Sequence, residues 1–220
     1  ATGPGVTAAA GYVSVVTPCF NEEENVLDVY TQVREAFTGM GISRYEHLFI
    51  DNASTDGTLP LLRDLARRSG LILCGPNCQG VVNLHEGATL SFTPALERKQ
   101  LLAGKIAFVT QSGAMGGSLF SNAMQLGIGF SYWISSGNEA ALESADYIRY
   151  LVEDPKTSVI LNYSEGFRDE AKFVQAAEAA RRAGKPIVAL RVGRTPMGKR
   201  AAQAHTGAVC GPDPEVEALF

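Results

Sequence analysis

Lys105-Ile-Ala-Phe-Val-Thr110 runs without a break into Gln111-Ser-Gly-Ala-Met-Gly-Gly-Ser118. A short apolar run followed by small residues predicts a β-strand that turns directly into a helix. At such a junction backbone N–H groups can approach an anion closely, and the helix dipole favours negative charge there. Far downstream, Ala204-His-Thr-Gly-Ala208 sets the one histidine beyond residue 100 in another small-residue turn. A phosphate cradle and an imidazole nucleophile together point to a phosphohistidine. On these residues alone a plainer reading stands beside it. Gly113, Gly116 and Gly117 also fit a tight strand–helix turn, and His205 a surface residue.

Working outward from this junction, the pattern alternates strand and helix along the chain. Strands are predicted at 12–17, 47–51, 71–74, 106–110, 130–135, 158–163 and 186–192. Helices are predicted at 23–37, 59–68, 114–125, 141–152 and 169–183, with a connector over 84–104. Short apolar strands alternating with amphipathic helices predict an α/β fold with parallel sheets covered on both faces. The architecture expected is two doubly wound units, one Rossmann-like and the second flavodoxin-like.

Composition sets outer bounds. The chain has 220 residues, 45% of them hydrophobic, enough for one large or two small α/β domains. No apolar run approaches a membrane span and no signal peptide is evident, so neither membrane nor secretory pathway is expected. Residues 1–11 are rich in Ala, Gly and Thr and are expected to be disordered. Cys19, Cys74, Cys78 and Cys210 show no zinc or redox spacing, which fits reduced thiols in a cytoplasmic protein. No bound metal is expected. Net charge is −4, yet residues 171–205 hold eight basic residues against the single acid Glu178. That suits a site handling phosphates, although Arg181 and Arg182 also fit a solvated helix face. Nucleic acid is not an expected partner, because no aromatic residues interleave with these charges.

Further motifs flank the cradle in a fixed order. Gly75-Pro-Asn-Cys-Gln-Gly80 precedes it. Trp133-Ile-Ser-Ser-Gly-Asn-Glu139, Tyr163-Ser-Glu-Gly166, Gly184-Lys-Pro-Ile-Val-Ala-Leu190 and the His205 turn follow. Over about residues 65–220 this order resembles the NDP-forming acid–CoA ligases, including the ADP-forming acetate–CoA ligases and the succinyl-CoA synthetase α subunit. The resemblance implies that His205 carries phosphate between an acyl phosphate and a nucleotide. It implies that Glu165 orients this histidine, and that Ser112, Gly113 and Ala114 hold phosphate through N–H groups and the serine hydroxyl. CoA and ATP or ADP are the cofactors implied. An ATP-grasp partner is implied for turnover, since no such domain fits beside these units. A homo-oligomer is left open.

The first third resembles a different family. Val13-Ser-Val-Val-Thr-Pro-Cys-Phe-Asn-Glu-Glu23 and Phe49-Ile-Asp-Asn-Ala-Ser-Thr-Asp-Gly-Thr58 are similar to the opening of a family-2, GT-A-fold glycosyltransferase. The resemblance runs over about residues 12–62. By motif match it implies nucleotide contacts from Pro18, Asn21, Glu22, Asp51 and Asp56. The DxD metal element and the catalytic base are missing, so a donor diphosphate would lack its neutralising cation.

The chain is therefore read as a chimera joined within residues 59–70, where both families have a helix before a strand. The division expected is a hybrid Rossmann-like unit at 12–83, the connector at 84–104 and a flavodoxin-like unit at 105–220. In the ligases the first strand ends in a glycine-containing turn that admits CoA phosphates. Here the turn reads Pro18-Cys-Phe-Asn-Glu-Glu-Glu24. Asn21 is expected to cap the next helix, with Glu22, Glu23 and Glu24 in its first turn. Three functions are carried forward: an incomplete phosphohistidine module, a folded chimera without activity, and a nucleotide-sugar-binding fragment.

Overall fold

The computed structural model describes residues 13–70, 72–97, 101–193, 195–198 and 200. The predicted alternation is present, arranged on two sheets. In the first, β1 (Val13–Cys19), β2 (Tyr45–Asp51) and β3 (Leu73–Cys74) pair in parallel in the order β1-β2-β3. Parallel neighbours require crossovers, supplied by α1 (Val26–Gly39) and α2 (Thr58–Ser69). Val26, Phe49, Leu62 and Leu73 form the small core between them. Helix α2 stops at Gly70, whose left-handed φ of 73° lets its N–H turn back to the Ala66 carbonyl.

Helix α1 begins later than the sequence suggests. Asn25 is its N-cap, and the Glu22 carbonyl accepts the N–H groups of Asn25 and Val26 at 3.0 and 2.9 Å. Asn21, with φ 55°, is therefore not the cap, and Glu22–Glu24 form the turn ahead of the helix. The reason lies in the neighbouring loop. Ser54, Thr58 and Asp56 accept the backbone N–H groups of Asn21, Glu22 and Glu23.

The second sheet has six strands in the order β5-β4-β7-β6-β8-β9. Here β6 (Ala103–Thr110), β7 (Phe130–Ser135), β8 (Val159–Ser164) and β9 (Ile187–Arg191) run parallel, linked by α3 (Gly113–Gln125), α4 (Ser144–Glu153) and α5 (Glu170–Arg182). Alternation along β6 divides the core. Ala107 and Val109 face a cluster with Tyr132, Ile148, Leu151, Ile160 and Phe173, whereas Phe108 faces Phe120, Met124, Phe130 and Trp133.

A hairpin of β4 (Gly80–Asn83) and β5 (Ala88–Ser91) extends this sheet, β4 pairing antiparallel with β7. This differs from the expected division, in which 80–83 close the first unit and 84–104 form a connector. The strands are too short for a β-pattern to stand out. Their close pairing depends on Gly80, φ 93°, where any side chain would collide with the Leu90 carbonyl. The two sheets also touch. Asn77 donates its N–H to the Asp51 carbonyl at 3.0 Å, and the Tyr147 hydroxyl donates to Cys74 Sγ at 2.9 Å. Among the described residues no helix is long and apolar enough to cross a membrane.

Candidate active site

Strand β6 lies between β7 and β8, so the connection leaving β6 toward β7 and the one leaving β8 toward β9 diverge at their carboxyl ends. In doubly wound sheets such a switch point is where ligands bind. The residues that follow β6 there are Gln111 and Ser112, and α3 starts at once.

Ser112 is the N-cap of α3, with φ −87° and ψ 112°. Its Oγ accepts the Met115 N–H at 3.3 Å and its carbonyl accepts the Gly116 N–H at 2.9 Å. The first N–H groups of a helix have no partner inside it, which leaves those of Gly113 and Ala114 facing outward. Because Oγ acts as an acceptor toward Met115, the Ser112 hydroxyl proton stays available to a ligand. A cleft of about 440 Å³ opens beside this turn, lined by Gln79, Thr93, Gly113, Ala114, Gly117 and Ser118. Side chains crowd two of the glycines. A Cβ on Gly113 would meet Gln79 Cγ at 2.7 Å, and one on Gly116 would collide with the Thr110 side chain.

Glu165 follows β8 and is only 4% exposed. Its N–H donates to Gln111 Oε1 at 2.6 Å, and the Gly166 N–H donates to the same oxygen at 3.2 Å. Gln111 Nε2 returns a bond to the Gly166 carbonyl at 2.7 Å, and the Gln111 N–H donates to the Tyr163 carbonyl at 3.0 Å. The Glu165 segment and the α3 cradle are thus joined through one side chain. Burial pushes the Tyr163 hydroxyl above its ordinary pKa, and the Glu165 charge adds to the shift. His205, and Cys210 with it, lie outside the described residues.

The sequence reading assigned no role to Gln111 or to Glu139. Glu139 is 2% exposed and has a left-handed φ of 55°. Its Oε1 accepts from Ser136 Oγ at 2.7 Å, from the Ser144 N–H at 2.9 Å and from the Ser144 hydroxyl. Burial pushes its carboxyl above the ordinary value, while Ser144, Ser136 and Gln111 favour the ionised form. Its own carbonyl accepts Arg168 Nη1 at 2.7 Å. The available signal was a carboxylate closing an otherwise small and neutral Ser-Ser-Gly-Asn stretch after a strand buried along its whole length.

The basic stretch divides between structural and other uses. Lys172 pairs with Asp146 at 2.7 Å, Arg182 with Glu178 at 3.4 Å, and Lys185 Nζ donates to the Leu151 and Asp154 carbonyls at 3.0 and 2.6 Å. Arg191 stacks over the Phe167 ring, 5.8 Å from its centroid.

At the carboxyl edge of the first sheet, Asn21, Glu22, Asp51 and Asp56 do come together, with Pro18 within β1. Their polar atoms bond to neighbouring residues of the same loops. The Asp51 carboxylate accepts the Ser54 N–H at 3.1 Å and the Ser54 hydroxyl. Asn21 Oδ1 accepts the Thr55 N–H at 2.8 Å, and Glu22 accepts Asn25 Nδ2 at 2.8 Å. Asp56 experiences slight desolvation, outweighed by hydrogen bonds from Thr58 and the Glu23 N–H, so its carboxyl lies below the ordinary range. Burial, with Asp51 and Glu22 nearby, pushes the Cys19 thiol up to about 12. Among the described residues no group of three or more His, Cys, Asp or Glu could hold a metal ion.

A doubly wound sheet with an open helix start at its switch point defines an α/β protein equipped for an anionic ligand. Residues 103–220 match the succinyl-CoA ligase-like flavodoxin domain, and the chain belongs to that family. The ADP-forming acetate–CoA ligase of Methanocaldococcus jannaschii is 35% identical over 159 residues, 72% of this chain and 22% of that protein. The α subunit of ADP-forming acetate–CoA ligase II from Pyrococcus furiosus is also 35% identical over 159 residues, 72% of this chain and 34% of that one. The chain thus spans between a fifth and about a third of these curated relatives. Among solved structures, the dinucleotide-forming acetyl-coenzyme A synthetase 1 of Ca. Korarchaeum cryptofilum, in complex with phosphate and ADP, aligns with a TM-score of 0.75. It is 28% identical, and the match covers 98% of this chain and 45% of that one. Residues 14–115 separately match glycosyl transferase family 2.

Proposed function

We propose that this chain is the phosphohistidine-bearing part of an NDP-forming acid–CoA ligase, working with an ATP-grasp partner in the cytoplasm. The observation that carries the reading is the Gln111 bridge, which sets Glu165 beside the open turn of Ser112, Gly113 and Ala114. Phosphate fits there: the Gly113 and Ala114 N–H groups at the positive end of a helix open onto one cleft, next to the Ser112 cap. CoA fits less well at the β1–α1 turn, where carboxylates stand in place of a glycine-containing loop. The steps assigned to this chain are therefore phosphoryl transfers alone.

Neutral His205 attacks the phosphorus of an acyl phosphate. An N–P bond forms, the P–O bond to the acyl group breaks, and the carboxylate leaves. Ser112, Gly113 and Ala114 hold the phosphoryl oxygens. Glu165 accepts the other ring N–H and stabilises the charge that the ring gains. The phosphoryl group then passes to ADP on the ATP-grasp partner and regenerates the imidazole; the reverse direction activates the acid. The test is incubation with γ-labelled ATP and an ATP-grasp subunit. Acid-labile label, absent from His205→Ala and strongly reduced in Glu165→Gln, is the expected result. Stable label in His205→Ala overturns the assignment.

The match of residues 14–115 favours a second reading, a chimera whose first sheet comes from a glycosyltransferase and retains no transfer activity. Of its candidate nucleotide residues, Asp51, Asn21 and Asp56 already accept the N–H groups of Ser54, Thr55 and Thr58. At most weak UDP-sugar binding is expected by calorimetry. Manganese-dependent UDP binding in the low micromolar range would instead revive a nucleotide-sugar role.

A further inference from the structure

Two residues outside the proposed catalytic set connect its parts. Gln111 is 5% exposed, sits one residue before the Ser112 cap, and grips the Glu165–Gly166 backbone by three hydrogen bonds. Which way a glutamine amide points is decided by its neighbours. Here Oε1 faces two N–H donors and Nε2 faces a carbonyl, so flipping the amide would oppose like groups at all three contacts. The Glu139 carboxylate lies against the same amide. Glu139 is held in turn by Ser136 and Ser144, on the loop leading from β7 into α4. The ends of β7, β6 and β8 therefore meet in one side-chain relay.

We propose that Gln111, with Glu139 fixing its amide orientation, is a positioning residue that sets the Glu165 carboxylate at its working distance from the α3 cradle. This deepens the phosphohistidine reading and rests on it. A second observation supports a role in orientation. The Arg168 guanidinium bonds the Glu139 carbonyl, so the segment after β8 is tied to Glu139 through its backbone as well. Glu165 is thereby held at its own backbone and again three residues later. A carboxylate that only packed would not need both.

If Gln111 acts through Glu165, removing it matters only while Glu165 has a carboxylate to position. A double-mutant cycle reads that dependence directly. The full chain is incubated with 32P-labelled acetyl phosphate, which transfers its phosphoryl group to an imidazole and releases acetate. The rate of acid-labile labelling at His205 is then measured. Gln111→Met keeps the length of the side chain and loses its hydrogen bonds. It is expected to slow labelling about tenfold in the parent chain and less than about twofold in Glu165→Gln. Glu139→Gln, one step removed and nearly isosteric, is expected to slow labelling by several-fold with its thermal midpoint retained, and to add little to Gln111→Met. Equal effects of Gln111→Met in both backgrounds overturn the proposal, as does labelling by Glu139→Gln at the parent rate. If the parent chain takes no label on His205, the phosphohistidine reading falls and this inference falls with it. If the parent is labelled and the cycle is additive, only this inference falls.

Discussion

Asp56 and Glu23 hold two loops together at the carboxyl edge of the first sheet: the Asp56 carboxylate accepts the Glu23 N–H at 3.1 Å, and Glu23 Oε2 accepts the Gly57 N–H. Each carboxylate takes a backbone donor from the opposite loop. The donors that a Rossmann-like turn could offer a polyphosphate are already occupied, those of Asn21 and Glu22 by the Ser54 and Thr58 hydroxyls and that of Glu23 by the Asp56 carboxylate. Glu22, in the same turn, adds a third carboxylate.

CoA binding should therefore be weak. Each unfavourable charge contact at a partly exposed site costs on the order of 1 kcal/mol, so together they weaken binding by roughly tens- to hundreds-fold. Titration of the purified chain by calorimetry is expected to give no saturation in the low micromolar range. Saturable binding there, lost when the Asn21–Glu24 turn is mutated, would show a working CoA site.

The buried Glu139 predicts a pH dependence of stability. Its carboxyl is raised in the folded chain, chiefly by burial. The folded state thus holds a proton over a range where the unfolded state has released it. That contribution to stability is fully present below the unfolded value of about 4.5 and is lost as pH rises through the folded value. Denaturant unfolding measured from pH 4 upward should show this loss in the parent chain. In Glu139→Gln the slope should be smaller. An unchanged slope would mean that the carboxyl does not titrate as its surroundings require.

Gly116 tests the packing under the cradle. A methyl group there would press into the Thr110 side chain, which packs directly beneath the first turn of α3. Gly116→Ala is expected to lower stability by about 1–3 kcal/mol, read from urea unfolding at constant m-value. A neutral effect would show that the turn can shift to make room.

Much of the fold could be read from the residues, and the reasons differ by element. The short, mostly apolar run at Phe130–Ser135 and the amphipathic period of α5 are strong local signals, so their limits agree with expectation within a residue or two. The β4–β5 hairpin escaped notice because four-residue strands have no measurable period and their pairing rests on Gly80. The α1 start was misread because Asn21 resembles a cap locally, while bonds from residues more than thirty positions away decide its conformation. For the site, Ser112, Gly113, Ala114 and Glu165 stand in recognisable motifs. Gln111 and Glu139 stand in the same motifs, but no role could be read for them, since their contacts depend on three strand ends meeting at one place.

The account rests on phosphate at His205, and direct labelling tests it. The full chain, incubated with labelled ATP and an ATP-grasp subunit, is digested under mildly alkaline conditions, and the modified peptide is identified by mass spectrometry. One phosphoryl group on the peptide containing His205, removed by brief acid treatment and missing from His205→Ala, is the result predicted. Label on any other residue, or label that survives acid, would contradict it.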